Sequence, residues 1–216
     1  MVMKIVFLLI YFVSTGIHLY ASKKKIQKLR DVTKPFILTS LLGFYCVMAK
    51  PIMATMVLAL IFSWLGDVFL IGRGVKWFTV GGICFMISHI FFVLAYNTQV
   101  DFSKINIVLA VVIALLYATA TVIEFKNLKE WLPKALFYPM FFYLLINSTM
   151  NCFAFYRMLS NPCLPTVITF IGALMFYISD CTLFFVRFKK DGKDRDHFLV
   201  MLTYSLGELL IVLGMI

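Results

Sequence analysis

Hydrophobic residues occur along this chain in eight blocks, separated by short stretches rich in Lys, Arg, Pro or other polar residues. A helix needs roughly 20 mostly apolar residues to cross a bilayer, and each block approaches that length. We predict eight spanning segments, at residues 3–21, 35–49, 51–72, 77–99, 105–123, 132–157, 163–188 and 197–216. The second segment is short and is expected to tilt, kink or be partly re-entrant.

The composition supports a membrane protein. Of the 216 residues 62% are hydrophobic and 14% are charged, and the mean hydropathy is +0.97. A soluble core of this size has no means of hiding so much apolar surface, so lipid must be its solvent. We therefore predict an all-α fold, a polytopic bundle of eight transmembrane helices that forms a single domain over residues 1–216.

The net charge of +10 is explained by the positions of the basic residues. The first, third, fifth and seventh connections hold 16 of the 20 Lys and Arg residues, whereas the N-terminal tail and each even connection hold one. Loops rich in Lys and Arg stay on the cytoplasmic side. Both termini are expected outside the cytoplasm, in a bacterial inner membrane or a eukaryotic endomembrane, and no nucleic-acid partner is needed.

Three carboxylates lie inside predicted spanning segments: Asp67, Asp180 and Glu208. A carboxylate at the centre of such a helix costs roughly 2.5 to 3.5 kcal/mol on insertion scales, so each one retained indicates a function or a partner. The rise of 1.5 Å per residue places Asp67 about 9 Å above Arg73 and Asp180 about 10 Å above Arg187. The two aspartates are therefore predicted to share one layer near the cytoplasmic face.

A second layer is predicted deeper in the bilayer, about 20 Å from the cytoplasmic edge, at His89 and Glu208. The sixth segment adds a polar stripe of Tyr143, Asn147 and Asn151 at i, i+4 spacing, which must face protein or water. Further polar residues of these segments are expected to support substrate or water at the site: Ser63, Tyr177 and Tyr204.

The two aspartate segments resemble each other. Gly66-Asp67-x-x-Leu70 and Ser179-Asp180-x-x-Leu183 lie four segments apart, and each precedes an Arg near the end of its helix. This similarity indicates a 4+4 pseudo-repeat that brings the third and seventh helices together around a central cavity.

Each of these residues has two interpretations. Asp67 and Asp180 either pair with basic or amide groups for structural reasons, or act together as an acid and a base. Glu208 and His89 either form a buried hydrogen-bonded pair or take part in the site. Basic residues near the cytoplasmic ends either anchor helices at the interface or converge on a head-group phosphate: Lys34, Arg73, Lys76 and Arg187.

Several reaction classes lack a motif in this sequence. It contains no G-x-S-x-G, no H-E-x-x-H and no Walker-type phosphate loop, and its five cysteines lack C-x-x-C spacing. We expect neither a metal site nor a cofactor.

With these features the chain resembles the lysoplasmalogenase family, the YhhN-like multi-pass membrane hydrolases, over nearly its whole length. The matching pieces are Thr33-Lys34-Pro35, SWLGDVFL, GGICFMISHIFF, GALMFYISDCTLFFVRF and TYSLGELLIVLG. Members of the family commonly carry Gln where this chain carries Glu208, which adds an ionisable group to the deeper layer.

The resemblance implies an ether hydrolase that cleaves the vinyl ether bond of a lysoplasmalogen, giving a fatty aldehyde and a glycerophospho-ethanolamine or -choline. Asp67 and Asp180 would be the catalytic dyad, and the partners would be the lysophospholipid substrate and membrane lipid. Head-group preference, oligomeric state and the division of roles between the aspartates stay open. Two rival functions are an intramembrane aspartyl protease and a proton-coupled transporter or lipid carrier.

Overall fold

The computed structural model describes residues 2–188 and 196–216, and within these ranges the chain forms eight α-helices and no strand. The helices are α1 Val2–Lys24, α2 Gln27–Met48, α3 Ala54–Ile71, α4 Val75–Asn97, α5 Ile107–Lys129, α6 Phe137–Ser160, α7 Leu164–Phe188 and α8 Asp196–Gly214. Single turns of 3₁₀ helix at Phe102–Lys104 and Lys134–Leu136 precede α5 and α6. The predicted all-α fold is confirmed.

Six of the described helices are long and apolar enough to cross a membrane: α1, α3, α4, α5, α7 and α8. The remaining two, α2 and α6, carry more polar residues. The first two turns of α2 contain Lys28, Arg30 and Asp31, and α6 contains the stripe that includes Asn147 and Asn151. The protein is thus a multi-pass membrane protein, and full spanning by α2 and α6 stays a prediction.

The predicted start and length of the second segment are wrong. Helix α2 is a continuous helix of 22 residues that begins at Gln27 rather than at position 35. Proline is favoured at the first position of a helix, which made Pro35 look like a start. Pro35 instead lies inside α2, and its carbonyl accepts a hydrogen bond from the indole Nε1 of Trp64 on α3 at 3.1 Å. Lys34 consequently belongs to the helix and not to the preceding loop.

Helix α5 ends at Lys129, six residues beyond the predicted end of the fifth segment. Its start is capped by the side chain of Asn106, which accepts hydrogen bonds from the amides of Val108 and Leu109. The extension brings Glu124 into the helix, where it is buried.

Seven helices pack in a closed ring in the order α1, α2, α3, α4, α6, α7 and α8, with α8 returning to α1. Helix α5 packs on the outside against α6 and α7, and few of its residues are buried. Helices α3 and α7 lie across the ring from each other, with α4 and α8 among the helices between them. They share a cavity, as the sequence indicated, although they are not packing neighbours.

The helix pairs of the first half recur in the second half. The packing of α1 on α2, α2 on α3 and α3 on α4 corresponds to α5 on α6, α6 on α7 and α7 on α8. The peripheral place of α5 breaks this correspondence, because α1 is part of the ring. The 4+4 pseudo-repeat itself stays a prediction.

Helices α7 and α8 approach each other closely at two glycines. A Cβ atom added at Gly172 would lie 2.6 Å from the carbonyl oxygen of Gly207, and one added at Gly207 would lie 2.8 Å from the carbonyl oxygen of Gly172. Small residues allow this close backbone approach, which stabilises helix pairs in lipid. The crossing fixes α8 against α7 and so sets where the residues of both helices meet the central cavity.

At the end of the bundle where α4, α6 and α8 finish and α7 begins, the helices are held by Arg157, whose side chain is buried. Its guanidinium donates to the Gln99 side chain at 2.6 Å, to the Thr169 hydroxyl at 2.7 Å and to the carbonyl of Gly214 at 2.9 Å. These bonds join the ends of α6 and α8 to the start of α7, away from the two aspartates.

Candidate active site at one end of the bundle

Asp67 and Asp180 line the same cavity, which has a volume of about 360 Å³ and lies at one end of the ring. The cavity is enclosed by residues from α1, α2, α3, α4, α7 and α8. Both carboxyl groups are buried, with 1% of Asp67 and 4% of Asp180 exposed. The geometry therefore brings together the two side chains that the sequence placed in one layer.

Asp67 has two partners from other helices. Lys34 on α2 forms an ion pair with its Oδ1 at 3.1 Å, and the hydroxyl of Tyr204 on α8 donates to its Oδ2 at 2.8 Å. The sequence predicts that Lys34 either anchors its helix or binds a head-group phosphate. The structure shows a further role, because Lys34 forms an ion pair with the aspartate. Tyr204 lines the cavity, as a supporting residue should.

Asp180 has three partners, and all of the hydrogen bonds described for it end on Oδ2. The hydroxyl of Tyr143 donates at 2.6 Å, the side-chain amide of Asn147 donates at 2.9 Å, and Nε2 of His89 lies at 3.1 Å. Tyr143 and Asn147 belong to the polar stripe of α6, so that stripe faces protein as predicted. The other ring nitrogen of His89, Nδ1, has no partner in the described part of the chain.

The two clusters have corresponding helix partners. Asp67 on α3 is held by the second helix of its own half and by the fourth helix of the other half, through Lys34 and Tyr204. Asp180 on α7 is held by α6 and α4 in the same way, through Asn147 and His89. The first cluster contains a cation, whereas the second is made of hydroxyl, amide and imidazole groups, so the two carboxyl groups are chemically distinct.

Basic side chains line the cavity beyond the aspartates. Arg73 and Arg187 do so as predicted, and Arg30 joins them from α2. Arg187 also donates to the carbonyl of Gly74 at 3.4 Å and lies 5.6 Å from the ring centre of Phe78. Lys76 is exposed and is not among the residues that line the cavity, so the structure does not place it with the other cations.

Of the two interpretations of the deeper layer, the structure excludes a hydrogen-bonded pair of Glu208 and His89. His89 bonds Asp180 rather than Glu208, and within the described residues neither carboxyl oxygen of Glu208 makes a hydrogen bond. The hydroxyl of Ser63 bonds that of Ser88 at 2.7 Å. His89, Glu208, Ser63 and Ser88 are not among the residues that line the cavity.

Two further predicted residues have supporting or separate positions. Asn151 donates to the backbone carbonyl of Asn147 at 3.1 Å, one helical turn from the aspartate cluster. Tyr177 packs its ring against Tyr117 of α5 at 5.8 Å, away from the cavity. The expectation that Tyr177 supports the site is therefore not met by its position.

Sequence reasoning missed Glu124 of α5 as a buried carboxylate. The side chain is 8% exposed, and the Cys181 thiol donates to its Oε2 at 2.8 Å. Glu124 was assigned to a loop because the fifth segment was ended at residue 123. The buried positions Thr121, Glu124 and Leu128 recur at helical spacing and would have extended the helix.

The described residues contain no group of three or more His, Cys, Asp or Glu side chains placed to hold a metal ion. All five cysteines are free. The side chains that line the cavity supply carboxyl, amine, hydroxyl, imidazole and guanidinium groups.

The fold and the site define the class of this protein. It is a helical multi-pass membrane protein in which one cavity contains two aspartates, each held by its own partners. The YhhN family model matches residues 29–215, and the chain belongs to this family of lysoplasmalogenase-like proteins. No curated protein and no solved structure matches the chain. The match covers both aspartates and all their partners, so the resemblance noted in the sequence is confirmed at the level of the family.

Proposed function

We propose that this protein hydrolyses the vinyl ether bond of a lysoplasmalogen, releasing a fatty aldehyde and a glycerophospho-ethanolamine or -choline. The proposal is carried by the single cavity that both aspartates line, together with membership of the YhhN family. A vinyl ether is cleaved by acid, which needs a proton donor and a water molecule but no nucleophilic serine.

We assign the cavity to the cytoplasmic side of the membrane. Its end of the bundle carries Arg30, Arg73 and Arg187, and basic residues favour that side. A phosphate head group placed there would meet guanidinium groups, which bind phosphate oxygens in a bidentate manner. The head group would thus lie at the mouth, with the vinyl ether deeper, beside the aspartates.

The proposed reaction consumes one water molecule. A carboxylic acid transfers its proton to the alkene carbon farther from the ether oxygen, which leaves an oxocarbenium ion stabilised by the second carboxylate. Water adds to that cation and gives a proton to the second carboxylate, and the resulting hemiacetal breaks into aldehyde and alcohol as its hydroxyl proton passes to the departing alcohol oxygen. The proton held by the second carboxyl group then returns to the first through water in the cavity, which restores the starting state. Two carboxyl groups with different environments are the usual means of dividing such acid and base roles.

The two clusters favour one division of these roles. Asp67 forms an ion pair with Lys34, which suits the ionised partner. Tyr143 and Asn147 donate to Oδ2 of Asp180 and His89 contacts the same oxygen, which leaves Oδ1 to carry the proton delivered to the substrate. We therefore propose Asp180 as the acid and Asp67 as the base, with Tyr143, Asn147 and His89 as positioning residues.

The test is aldehyde release from lysoplasmenylethanolamine by the purified protein in detergent. Asp67→Asn and Asp180→Asn are each expected to reduce turnover by roughly 10² to 10⁴-fold, the usual contribution of a general acid or base. Asp101→Asn is the matched control, because Asp101 is an exposed aspartate between α4 and α5. Full activity in both cavity variants would refute the mechanism.

Further substrates in the same assay separate the rival functions. Cleavage of a transmembrane peptide without aldehyde release would indicate an aspartyl protease. Uptake into proteoliposomes without any product would indicate a transporter or lipid carrier, and release of fatty acid from an ester lysophospholipid would indicate a hydrolase of another bond.

A further inference from the structure

A second cavity of about 500 Å³ lies between the first halves of α4 and α6. Its walls include Phe78, Gly82 and Met86 on α4 and Pro139, Phe142 and Ile146 on α6. The lining residues span about two turns of each helix, so the cavity is a groove that extends along both helices. A volume of this size is in the range of small-molecule sites.

The groove offers almost no polar atom to a ligand. The hydroxyl of Thr79 donates to the carbonyl of Val75 at 2.9 Å, and that of Tyr143 donates to Asp180. The other lining side chains are apolar, apart from the largely exposed Tyr138. A polar head group would lose its hydrogen bonds here without replacement, so the occupant must be hydrocarbon.

The groove opens sideways, towards the lipid that surrounds the bundle. Ile83 and Phe142 on its rim are 45% and 52% exposed, on the outer surface of helices that are surrounded by lipid. An alkyl chain can therefore enter from the bilayer without passing through water.

Three aromatic rings separate this groove from the aspartate cavity. Phe78 lines both spaces. The ring of Phe184 contacts Phe78 edge to face at 6.3 Å and Tyr143 at 5.1 Å. Since the Tyr143 hydroxyl is 2.6 Å from Asp180, one layer of side chains lies between the apolar groove and the carboxyl group.

We infer that the groove between α4 and α6 binds the hydrocarbon chain of a single-chain phospholipid whose head group occupies the cavity lined by Asp67 and Asp180. The inference rests on the proposed function for the identity of the substrate, and it adds the binding site of the chain and its entry from the bilayer. Because Phe78 lines both spaces, the inference requires the lipid to cross the layer of aromatic rings beside that side chain, with the head group on the aspartate side and the chain on the groove side.

Gly82 provides the variant that tests this site. An added Cβ atom at Gly82 would meet no atom within 4 Å, and Gly82 lines the groove, so a leucine at this position is expected to fill part of it. Gly16 on α1 is the matched control, because an added Cβ there also meets nothing within 4 Å and Gly16 does not line the groove. Both changes replace a helical glycine with a better helix former.

The experiment uses a lysophospholipid that carries an alkyl ether in place of the vinyl ether and a diazirine midway along the chain. Photolysis with the full-length protein in detergent, followed by peptide mapping, is expected to label residues 78–86 and 136–146. Gly82→Leu is expected to reduce this labelling about tenfold, and Gly16→Leu is expected to leave it unchanged. Excess unlabelled lysophospholipid should compete, and a two-chain phospholipid should not.

Labelling elsewhere, equal labelling in Gly82→Leu and wild type, or equal competition by a two-chain phospholipid would overturn the inference. The last result would mean that the groove holds ordinary membrane lipid. The probe is not hydrolysed, so labelling does not depend on activity. Specific labelling by the probe, together with no aldehyde release from lysoplasmenylethanolamine, would refute the proposed reaction and leave the chain-binding site standing.

Discussion

The ion pair between Lys34 and Asp67 gives a prediction that does not depend on the catalytic activity. Removing one partner of a buried ion pair commonly costs about 3–5 kcal/mol, because the other charge is left uncompensated. The Lys34 side chain is 15% exposed and lines the cavity, so water there reduces the cost. We expect Lys34→Met to lower the free energy of unfolding by about 2–3 kcal/mol.

The double variant distinguishes pairing from independent effects. Asp67→Asn alone leaves Lys34 without its anion but keeps an oxygen for the Tyr204 hydroxyl, and it should cost about 2 kcal/mol. In Lys34→Met/Asp67→Asn no charge is left unpaired, so the total loss should also be about 2 kcal/mol. The coupling energy between the two sites is then about 2–3 kcal/mol, within the range for residues in contact.

The assay is unfolding in mixed micelles by titration with SDS, followed by far-UV circular dichroism. The exposed pair Lys104–Asp101, at 3.2 Å and with side chains 66% and 47% exposed, is the control. Its coupling energy should be much smaller than that of the buried pair, because solvent screens exposed charges. Strictly additive losses for Lys34 and Asp67 would refute the argument that the buried pair is held by its mutual charge.

Three further predictions concern other parts of the chain. Tyr143→Phe should reduce aldehyde release roughly tenfold to a hundredfold through loss of a donor to Asp180, and unchanged turnover would contradict a positioning role. Gly172→Ala should lower the midpoint of thermal unfolding, because its Cβ meets backbone atoms at 2.6 and 2.7 Å, whereas Gly82→Ala should maintain or raise it. The pKa of Asp101 lies below its ordinary 3.8, mainly because the Ser103 hydroxyl donates to the carboxylate, followed by Lys104. Its contribution to stability is therefore present above pH 3.8 and is lost as the pH falls through the lowered pKa. The difference in stability between wild type and Asp101→Ala should shrink on acidification below about pH 4. A difference that persists at lower pH would show that the cause is not electrostatic.

Much of the fold could be predicted because the bilayer makes length and polarity informative. Eight apolar blocks became eight helices, with errors mainly at the ends of α2 and α5. Both errors came from local signals, a proline at 35 and a charged residue at 124, that tertiary packing overrode. Proline is tolerated inside α2, and the Glu124 carboxylate is accepted because Cys181 donates to it.

The site was predicted in part for the same reason. The common depth of Asp67 and Asp180 follows from their distances to Arg73 and Arg187, and the two residues do line one cavity. The partner of Asp67 was missed, since Lys34 was counted as part of a loop. For the deeper residues the sequence left two interpretations open, because similar depth does not decide whether His89 faces Asp180 or Glu208. The structure pairs His89 with Asp180.

The sequence by itself determined the coordinate along the membrane normal: which segments are helical, which residues share a layer, and where the basic ends lie. A fixed rise per residue and a fixed thickness of hydrocarbon make that coordinate a matter of counting. Only the tertiary structure decided the arrangement in the membrane plane, which put α4 next to α6 and α5 outside the ring. That arrangement depends on the close fit of side chains distant in the chain, such as the contact of Gly172 with Gly207, and no local pattern of hydrophobic residues encodes it.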